Sequence, residues 1–457
     1  MRQNPSFAST RALDDLRARD YPLLDATGHV YLDYTAANLI PQSLVARHAA
    51  LLRDHLLGNP HSSNPSSTLT TTFVDQARLS VLEFFNADPD EYVVIFTGNA
   101  TQALKLVGES YHFSESGEYV LTFDNHNSVN GIREFARVKG CPTIYVPVVL
   151  PEMRVNDAEL ASVLERGGAG GPRLFAYPAQ SNFSGVQHPL DWIPFAQERG
   201  WDVLLDAAAF TPTNPLDLSR WSPDFVSQSF YKMFGYPTGV GCLIARKEAL
   251  AKLRRPWFAG GTITVASVQG DRYYLAEGAS AFEDGTPNYL ALPGVAFGLE
   301  YLTSIGIDVI HKHVTQLTAD LIERLTALRH SNGAALARIY GPRSAIRRGG
   351  TVTFNMYDQH GRAIDHRDVE ARANAANISL RTGCFCNPGG GEIALGITGT
   401  DLSSCFHQPE HETHLTIDDF RLCIDGKSTG AVRVSLGLVS NLADVAGFTT
   451  FAETFLT

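Results

Sequence analysis

The sequence predicts an α/β fold: a mostly parallel, doubly wound sheet followed by a smaller α+β domain at the C-terminal end. Short apolar runs of strand length alternate with helical segments through the first half of the 457 residues, a pattern typical of parallel sheets with helices on both faces. After about Leu290 two long amphipathic helices and a few isolated strands follow instead. We therefore predict three parts: an N-terminal segment packing on the small domain (1–29), a large domain (30–289) and the small domain (290–457).

Individual elements follow from the same patterns. The predicted strands of the large domain are Tyr92–Phe96, Tyr119–Phe123, Thr143–Val149, Leu174–Tyr177, Asp202–Leu205, Phe225–Ser229 and Val240–Ala245. Helices are predicted over Gln102–Tyr111 and Val129–Val138. The small domain is predicted to hold helices at 290–304, 307–330 and His366–Ala376, with strands at Thr351–Met356, Ile378–Leu380 and Val432–Leu436. The polar segment Gly389–Lys427 is predicted to be a long irregular excursion.

Composition and charge restrict the class of partner. A formal net charge of −11 argues against nucleic acid or an anionic membrane, because both attract basic surfaces. No apolar run is long enough to span a bilayer, and the first residues lack the apolar core of a signal peptide. The 6 cysteines are too sparse for a disulfide-stapled domain. We therefore expect a soluble cytoplasmic protein whose cysteines remain thiols.

A lysine and an aspartate stand out at the ends of two apolar strands. Lys232 follows a strand in the phrase SFYKMFGYPTGVG; in an apolar, partly closed site such an amine loses its proton readily and can form a Schiff base. Asp206 ends the strand of WDVLLDAAAF, where a carboxylate is costly unless it is paired. The protonated ring nitrogen of pyridoxal phosphate (PLP) needs such an acid. The alternatives are a surface lysine and a helix N-cap.

Three further strand ends carry residues that suit the same cofactor. FTGNATQAL puts Ala100 and Thr101 at a helix start, where backbone N–H groups and a hydroxyl can seat a phosphate. DNHNS supplies His126 to stack on a flat ring, and AQSNFSG supplies the amide of Asn182 for a ring oxygen. Helix caps, a loop histidine and an Asx-turn are the alternatives. Because ligands bind beyond the carboxyl ends of parallel strands, the joint occurrence of all five features predicts a PLP site.

These phrases, in this order, resemble class V, fold-type I PLP enzymes of the cysteine desulfurase group. Within that group the chain is most similar to the N-terminal domain of molybdenum cofactor sulfurases. The phrases HNSVNGIREFA, FEDGTPNYL, RTGCFCNPG and TGAVRVSLG add to the resemblance, which covers nearly the whole chain. Longer sulfurases carry a further C-terminal domain, which we expect to be absent here.

The resemblance implies a set of cofactor-binding residues and two catalytic roles among them. The implied set is Ala100, Thr101, His126, Asn182, Asp206, Ser229, Lys232 and Thr286. Lys232 would carry the cofactor and then move protons, His126 would stack on the ring, and Ser229 would help to hold the phosphate. Thr286 would reach the phosphate of a neighbouring subunit, so the resemblance also implies a homodimer with composite sites.

RTGCFCNPGG reads as an exposed loop with two cysteines two residues apart. In the resembling family a cysteine in the pattern R-x-G-x-x-C attacks the sulfur of the bound substrate. That spacing leads from Arg381 to Cys386, which we favour over Cys384 as the nucleophile. The alternative is half of a metal site, although the other candidate ligands are scattered: Cys405, His407 and His411. We predict no metal.

Two arginines complete the predicted site. Arg433, in VRVSLG, resembles the arginine that binds the substrate carboxylate, and its guanidinium suits bidentate binding. Arg381 would line the same pocket. The alternative for either is a surface ion pair of little consequence.

The sequence therefore favours a PLP-dependent enzyme that moves sulfur from L-cysteine through a persulfide on Cys386 and releases alanine. Its acceptor would be a protein or a small molecule. One alternative is a PLP enzyme with other chemistry, such as a C–S lyase, an epimerase or a biosynthetic enzyme acting on another amino acid, because fold does not fix reaction. Another is a sulfur carrier without catalysis, against which the intact Lys232 and Asp206 count.

Overall fold

The computed structural model describes residues 11–166, 170–406, 415–416, 419–420 and 429–457. Its helices are α1 (Arg11–Asp20), α2 (Pro22–Ala26), α3 (Gln42–Asp54), α4 (Pro65–Phe84), α5 (Ala100–Ser110), α6 (Asn127–Asn130), α7 (Ile132–Val138), α8 (Asp157–Glu165), α9 (Trp192–Gln197), α10 (Phe230–Phe234), α11 (Lys247–Leu250), α12 (Leu292–Ile305), α13 (Ile307–Ala327), α14 (His366–Ala375), α15 (Pro388–Leu395), α16 (Gly399–Phe406) and α17 (Leu442–Glu453).

The strands of the described residues form one large sheet and several smaller ones. They are β1 (Val30–Tyr31), β2 (Tyr92–Thr97), β3 (Glu118–Thr122), β4 (Thr143–Val146), β5 (Val148–Val149), β6 (Arg154–Val155), β7 (Arg173–Pro178), β8 (Asp202–Asp206), β9 (Phe225–Ser229), β10 (Gly241–Arg246), β11 (Ile263–Ser267), β12 (Arg272–Leu275), β13 (Ala337–Tyr340), β14 (Thr351–Met356), β15 (Ile378–Ser379), β16 (Arg381–Gly383) and β17 (Ala431–Ser435).

The large domain is built on a seven-stranded sheet of order β2-β10-β9-β8-β7-β3-β4. All its strands were predicted, and the predicted fold class is confirmed. Only β10 pairs antiparallel, with β2 on one side and β9 on the other. The predicted strand at 143–149 is interrupted: β4 stays in the sheet, whereas β5 leaves it and pairs with β6.

Apolar side chains cover both faces of this sheet. Along β8, Val203 and Leu205 join one buried cluster, whereas Leu204 between them joins the other. Successive strand residues point to opposite faces, so this alternation shows that helices pack on both sides. Each fully buried Val or Leu contributes about 1.5–3 kcal/mol, which fixes the strand register and with it the carboxyl-end edge.

The small domain centres on a four-stranded antiparallel sheet of order β13-β14-β17-β16. Its register places Arg381 of β16 directly opposite Arg433 of β17. The first part of the described chain (residues 11–33) joins this region: β1 pairs in parallel with β15, and Asp33 bridges to Ser435. A buried ion pair between Arg17 and Asp444, at 2.5 Å, further ties the two together. The domain boundaries at 29 and 289 stay predictions.

Several sequence expectations need correction. The predicted helix 129–138 is two helices, α6 and α7, with Gly131 between them. The predicted irregular excursion begins instead with α15 and α16, and part of its remainder lies outside the described residues, as do His407 and His411. Cys405 is disulfide-bonded, so the expectation that every cysteine is a thiol is wrong. Among the helices of the described residues, none has both the length and the hydrophobicity that a membrane span requires.

Candidate active site

A cavity of about 360 Å³ opens at the carboxyl-end edge of the large sheet. It falls within the usual size range of small-molecule and cofactor sites. Seven of the eight predicted cofactor-binding residues line it: Ala100, Thr101, His126, Asn182, Asp206, Ser229 and Lys232. The sheet topology therefore brings together residues that are spread over more than a hundred positions of sequence.

Lys232 lies on α10, a single helical turn that directly follows β9. The turn ends at Gly235, whose φ of 80° lies in the left-handed region that favours glycine. A Cβ added there would lie 2.4 Å from the Leu39 carbonyl oxygen, so no other residue fits. Burial lowers the pKa of the Lys232 amine, while the charge of Asp206 acts in the opposite direction. A larger fraction of this amine is therefore neutral and nucleophilic than of an exposed lysine.

Asp206 is buried at the end of β8. Its Oδ1 accepts hydrogen bonds from the Ala208 N–H, at 3.1 Å, and from the Ser227 hydroxyl, at 3.2 Å. Both described donors use Oδ1, which leaves Oδ2 to bind a cationic ring N–H. Asp206 and Lys232 line the same cavity. A buried carboxylate in this position suits the role of the acid that keeps the ring nitrogen of PLP protonated.

His126 caps α6 and lines the cavity. Its Nδ1 accepts a hydrogen bond from the Ser128 N–H at 3.1 Å, so the neutral ring carries its proton on Nε2. Burial and the nearby charge of Lys232 lower the pKa of His126. The imidazole is therefore held neutral and in one orientation, as a stacking ring needs.

The N-terminus of α5 forms the polar end of the cavity. The Ala100 N–H donates to the Ser229 hydroxyl at 2.7 Å, and the Thr101 and Ser128 hydroxyls lie 2.7 Å apart. Asn99 caps the helix through its side chain. Backbone N–H groups at a helix start together with three hydroxyls are a donor set that suits a phosphate, so the residues present fit PLP at both ends.

Asn182 lines the cavity, but its amide is bonded elsewhere. Its Nδ2 donates to the Phe385 carbonyl at 2.7 Å, and its Oδ1 accepts from Asn387 at 2.9 Å. The predicted bond to a ring oxygen stays a prediction. What the structure adds is a direct link between the cavity and the cysteine loop, 203 residues away along the chain.

The cysteine loop, residues 384–387, is docked on the cavity wall. The Asn127 N–H, next to His126, donates to the Cys386 carbonyl at 2.7 Å. Phe385 is buried against Phe183, with ring centroids 5.4 Å apart. The Cys384 and Cys386 side chains themselves are exposed. The loop backbone is therefore fixed, while both thiols remain accessible.

Asn387 holds this loop and was missed by sequence reasoning. It is fully buried, and its Nδ2 donates to the Asp124 carbonyl at 2.7 Å as well as to Asn182. Its Oδ1 accepts from the Gly390 N–H at 2.9 Å, which caps α15. An asparagine before Pro388 is a recognisable N-cap signal, although its contacts with Asp124 and Asn182 are not readable locally.

The two predicted arginines come together around an aspartate that sequence reasoning also missed. Arg381 forms a fork with Asp33, with Nη2–Oδ2 at 2.7 Å and Nε–Oδ2 at 3.0 Å. Arg433 donates to Asp33 Oδ1 at 3.2 Å and to the Asn182 carbonyl at 3.0 Å. The hydrogen bonds from Arg381 to Asp33 raise the pKa of Arg381, whereas burial lowers that of Arg433 to about 10.

Thr286 lies outside this cavity. It lines a neighbouring cavity of about 430 Å³ that shares Gly98 and Gly239 with the first. Its hydroxyl accepts a 3.3 Å hydrogen bond from Asn59. Within one chain Thr286 is therefore adjacent to the predicted phosphate seat and does not line it.

Comparison with curated proteins finds molybdenum cofactor sulfurases from several organisms. The chain is 38% identical to molybdenum cofactor sulfurase of Solanum lycopersicum over 97% of this chain and 57% of that protein. It is also 38% identical to molybdenum cofactor sulfurase of Homo sapiens, over 96% of this chain and 51% of that protein. The chain thus spans about half the length of these curated relatives.

Solved structures and a family model agree with this comparison. A cysteine desulfurase from Thermococcus onnurineus NA1 matches with a TM-score of 0.79 and 25% identity, over 97% of both chains. The cysteine desulfurase CsdA from Escherichia coli shares the fold, with a TM-score of 0.75, 21% identity and coverage of 97% of this chain and 99% of that one. The model named aminotransferase class-V matches residues 30–448, and the chain belongs to that family.

Proposed function

We propose that this chain is a PLP-dependent sulfurtransferase of the cysteine desulfurase type, which takes sulfur from L-cysteine onto Cys386 and releases alanine. Membership of the aminotransferase class-V family supports the cofactor. The likeness to molybdenum cofactor sulfurases and to a cysteine desulfurase supports the reaction. The observation that carries the proposal is the docking of the cysteine loop on Asn127 and Asn182, beside the cavity that holds Lys232.

Lys232 and the cavity wall would prepare the substrate. Bound PLP supplies an electron sink for the pair released at the substrate Cα. Lys232, whose pKa is lowered by burial, is suited to take the Cα proton as a neutral amine and to return it later. His126 would hold the ring from one face, and Asp206 would keep the ring nitrogen protonated.

The arginines would hold the substrate carboxylate. Arg433 is buried, and in the described part of the chain its Nε has no hydrogen-bond partner. Arg381 is half-exposed beside it. A carboxylate bound here would orient Cα toward Lys232. Arg433 is close enough to Lys232 for its charge to lower the pKa of the Lys232 amine.

Cys386 would perform the sulfur step. Its thiolate attacks the substrate sulfur, so a sulfur–sulfur bond forms as the carbon–sulfur bond breaks. The electron pair of the broken bond stays with the carbon skeleton, which leaves as alanine after taking up protons. Cys386 is left as a persulfide, and no external oxidant is needed. Because Cys386 is exposed, an acceptor protein or small molecule can then collect the sulfur.

The test is turnover of L-cysteine with a reductant, measured as alanine and sulfide in equal amounts. Cys386→Ala should abolish sulfide release, and mass spectrometry of the wild type should find the extra sulfur on Cys386. Cys384→Ala is the matched control, because Cys384 is also exposed in the same loop. An unchanged rate in Cys386→Ala would remove the persulfide role. A response only to another amino acid would favour a different PLP reaction.

We further propose a homodimer with composite sites. The β11–β12 hairpin exposes a run of apolar side chains, with Val265 57%, Val268 100% and Tyr274 61% exposed. Contiguous exposed apolar surface of this kind marks an interaction site. Thr286, beside the cofactor cavity of its own chain, would contact the cofactor of the partner.

Light scattering tests the dimer, and subunit mixing tests the composite site. Val268→Lys should shift the protein toward monomer. Lys232→Ala and Thr286→Ala chains should each be impaired, yet a mixture should regain activity, because a heterodimer contains one intact site. No recovery on mixing would contradict shared sites.

We also propose a cytoplasmic location, without membrane or nucleic-acid partners.

A further inference from the structure

The carboxylate of Asp33 lies between the two arginines of the proposed substrate site. We propose that Asp33 is a positioning residue that sets the site's preference for a substrate carboxylate by holding Arg433 and Arg381 as one unit. This inference rests on the proposed function and deepens it, because it assigns the selection of the amino-acid carboxylate to a third residue.

Asp33 makes contacts that leave it little freedom. Its side chain is 11% exposed and accepts from Arg381 Nε and Nη2 and from Arg433 Nη2. The backbone next to Asp33 is held as well, because the Leu32 N–H donates to the Ser379 carbonyl and the Ser435 N–H donates to the Leu32 carbonyl. The carboxylate is therefore a fixed anchor, and the arginine side chains are positioned by it.

The anchor is needed because the arginines face each other. Arg381 and Arg433 are paired across β16 and β17, and like charges directly opposite each other on adjacent strands repel. Asp33 neutralises one of the two charges. The remaining charge of about +1 matches one substrate carboxylate, so Asp33 also sets the charge that the site presents.

The donors that Asp33 leaves open point to a ligand. Arg433 is 2% exposed, its Nη1 is bonded to the Asn182 carbonyl and its Nη2 to Asp33. Its Nε has no partner among the described residues. A buried, unpaired guanidinium N–H is unfavourable, and a substrate carboxylate oxygen would satisfy it. Because the two Nη atoms are fixed, Nε is presented in one orientation.

Asp33→Asn tests this assignment, since it keeps the shape and removes the charge. We compare L-cysteine with L-cysteine methyl ester, which has no carboxylate. The variant should lose at least about tenfold in kcat/KM for L-cysteine, mainly through KM, and less than about threefold for the ester. Calorimetric binding of L-alanine should weaken by about tenfold as well, with binding of alaninamide unchanged.

Asp444→Asn is the matched control, because it removes the charge of another buried aspartate that pairs with an arginine, and neither Asp444 nor Arg17 lines the cavity. It should affect both substrates alike. An equal loss for L-cysteine and its ester in Asp33→Asn would overturn the proposal, and so would tighter binding of L-cysteine, which would mean that Asp33 competes with the substrate.

Two further comparisons cover a variant that does not fold and a wild type that does not convert L-cysteine. If Asp33→Asn does not fold, Asp33→Glu takes its place: it keeps the charge but moves it by one methylene, and the same carboxylate-specific loss is expected. If the wild type fails to convert L-cysteine, the proposed function fails. The comparison of L-alanine with alaninamide then still decides whether Asp33 positions a carboxylate site.

Discussion

Replacing Asn387 with alanine should release the cysteine loop from the cavity wall. Asn387 is fully buried and makes three side-chain hydrogen bonds: to the Asp124 carbonyl, to Asn182 Oδ1 and from the Gly390 N–H. Alanine makes none of them and leaves two buried backbone groups and the half-buried Asn182 Oδ1 without this partner.

The size of the effect follows from the two bonds that join Asn387 to the cavity wall, those to Asp124 and Asn182. A buried hydrogen bond contributes about 1 kcal/mol net, so the docked loop should lose about 2 kcal/mol relative to the undocked loop. That corresponds to a factor of about 30 in the docking equilibrium, because each 1.4 kcal/mol is about tenfold. Phe385 packing and the bond from Asn182 to its carbonyl remain, so undocking should be partial and reversible.

Hydrogen exchange measures the docking directly. The Asn127 N–H donates to the Cys386 carbonyl at 2.7 Å, so its exchange reports whether the loop is in place. In Asn387→Ala we expect this amide to exchange up to about 30 times faster, with a parallel fall in sulfide release from L-cysteine. The α5 amides should keep their protection.

Asn441→Ala is the control for losing an asparagine helix cap. Asn441 caps α17 and accepts from the Asp444 N–H at 3.0 Å, so its loss should cost about 1 kcal/mol of global stability and leave Asn127 exchange unchanged. If Asn387→Ala leaves both the Asn127 exchange rate and the activity within about threefold of wild type, the loop is held by other contacts and the reasoning is refuted.

Three further substitutions test the packing beneath the site. Gly389→Ala should destabilise the protein in urea by about 1–3 kcal/mol, since an added Cβ would lie 2.0 Å from the Phe123 carbonyl oxygen. Gly391→Ala is its control and should change stability by less than about 1 kcal/mol, because the new Cβ meets only the Cβ of a neighbouring cysteine, at 3.4 Å. His188→Gln should cost about 1.5–3 kcal/mol, because it removes the imidazole whose Nε2 hydrogen-bonds to the buried carboxylate of Asp124 at 3.0 Å. Burial alone would raise the pKa of Asp124, but the charge and hydrogen bonds of His188 outweigh it, so the pKa of Asp124 is lowered in the folded protein. The pair therefore stabilises the fold at pH values above the pKa of an unfolded carboxyl group. The difference in unfolding free energy between the wild type and His188→Gln should shrink as the pH falls below about 4. A difference that is constant with pH would contradict this assignment.

Local patterns in the sequence were sufficient for the strands and their ends. Apolar runs of five or six residues have to be buried on both faces, and such runs form the interior of a parallel sheet. The polar residue after each run therefore lies at the carboxyl-end edge, and this is why the sequence alone could place Asp206, His126 and Lys232 beside the cavity that they line. The glycines and prolines around them are also local signals.

Contacts between distant segments could not be predicted in this way. Asp33 meets Arg433 across 400 residues of sequence, and Asn387 meets Asn182 across 205. Nothing in the local composition of either partner indicates the other. The same is true of the reversed direction of β10, which depends on how the chain returns to the sheet.

The sequence by itself thus determined the set of groups at the sheet edge, because each group is specified by the strand that precedes it. Only the tertiary structure decided how the proposed substrate side of the site is assembled. The residues that follow β1 supply Asp33, the small domain supplies Arg433, and the loop that carries Cys386 is held by amides of the large domain. Those positions depend on the packing of segments far apart in the chain, and burial of such long-range contacts leaves no periodic trace in the sequence.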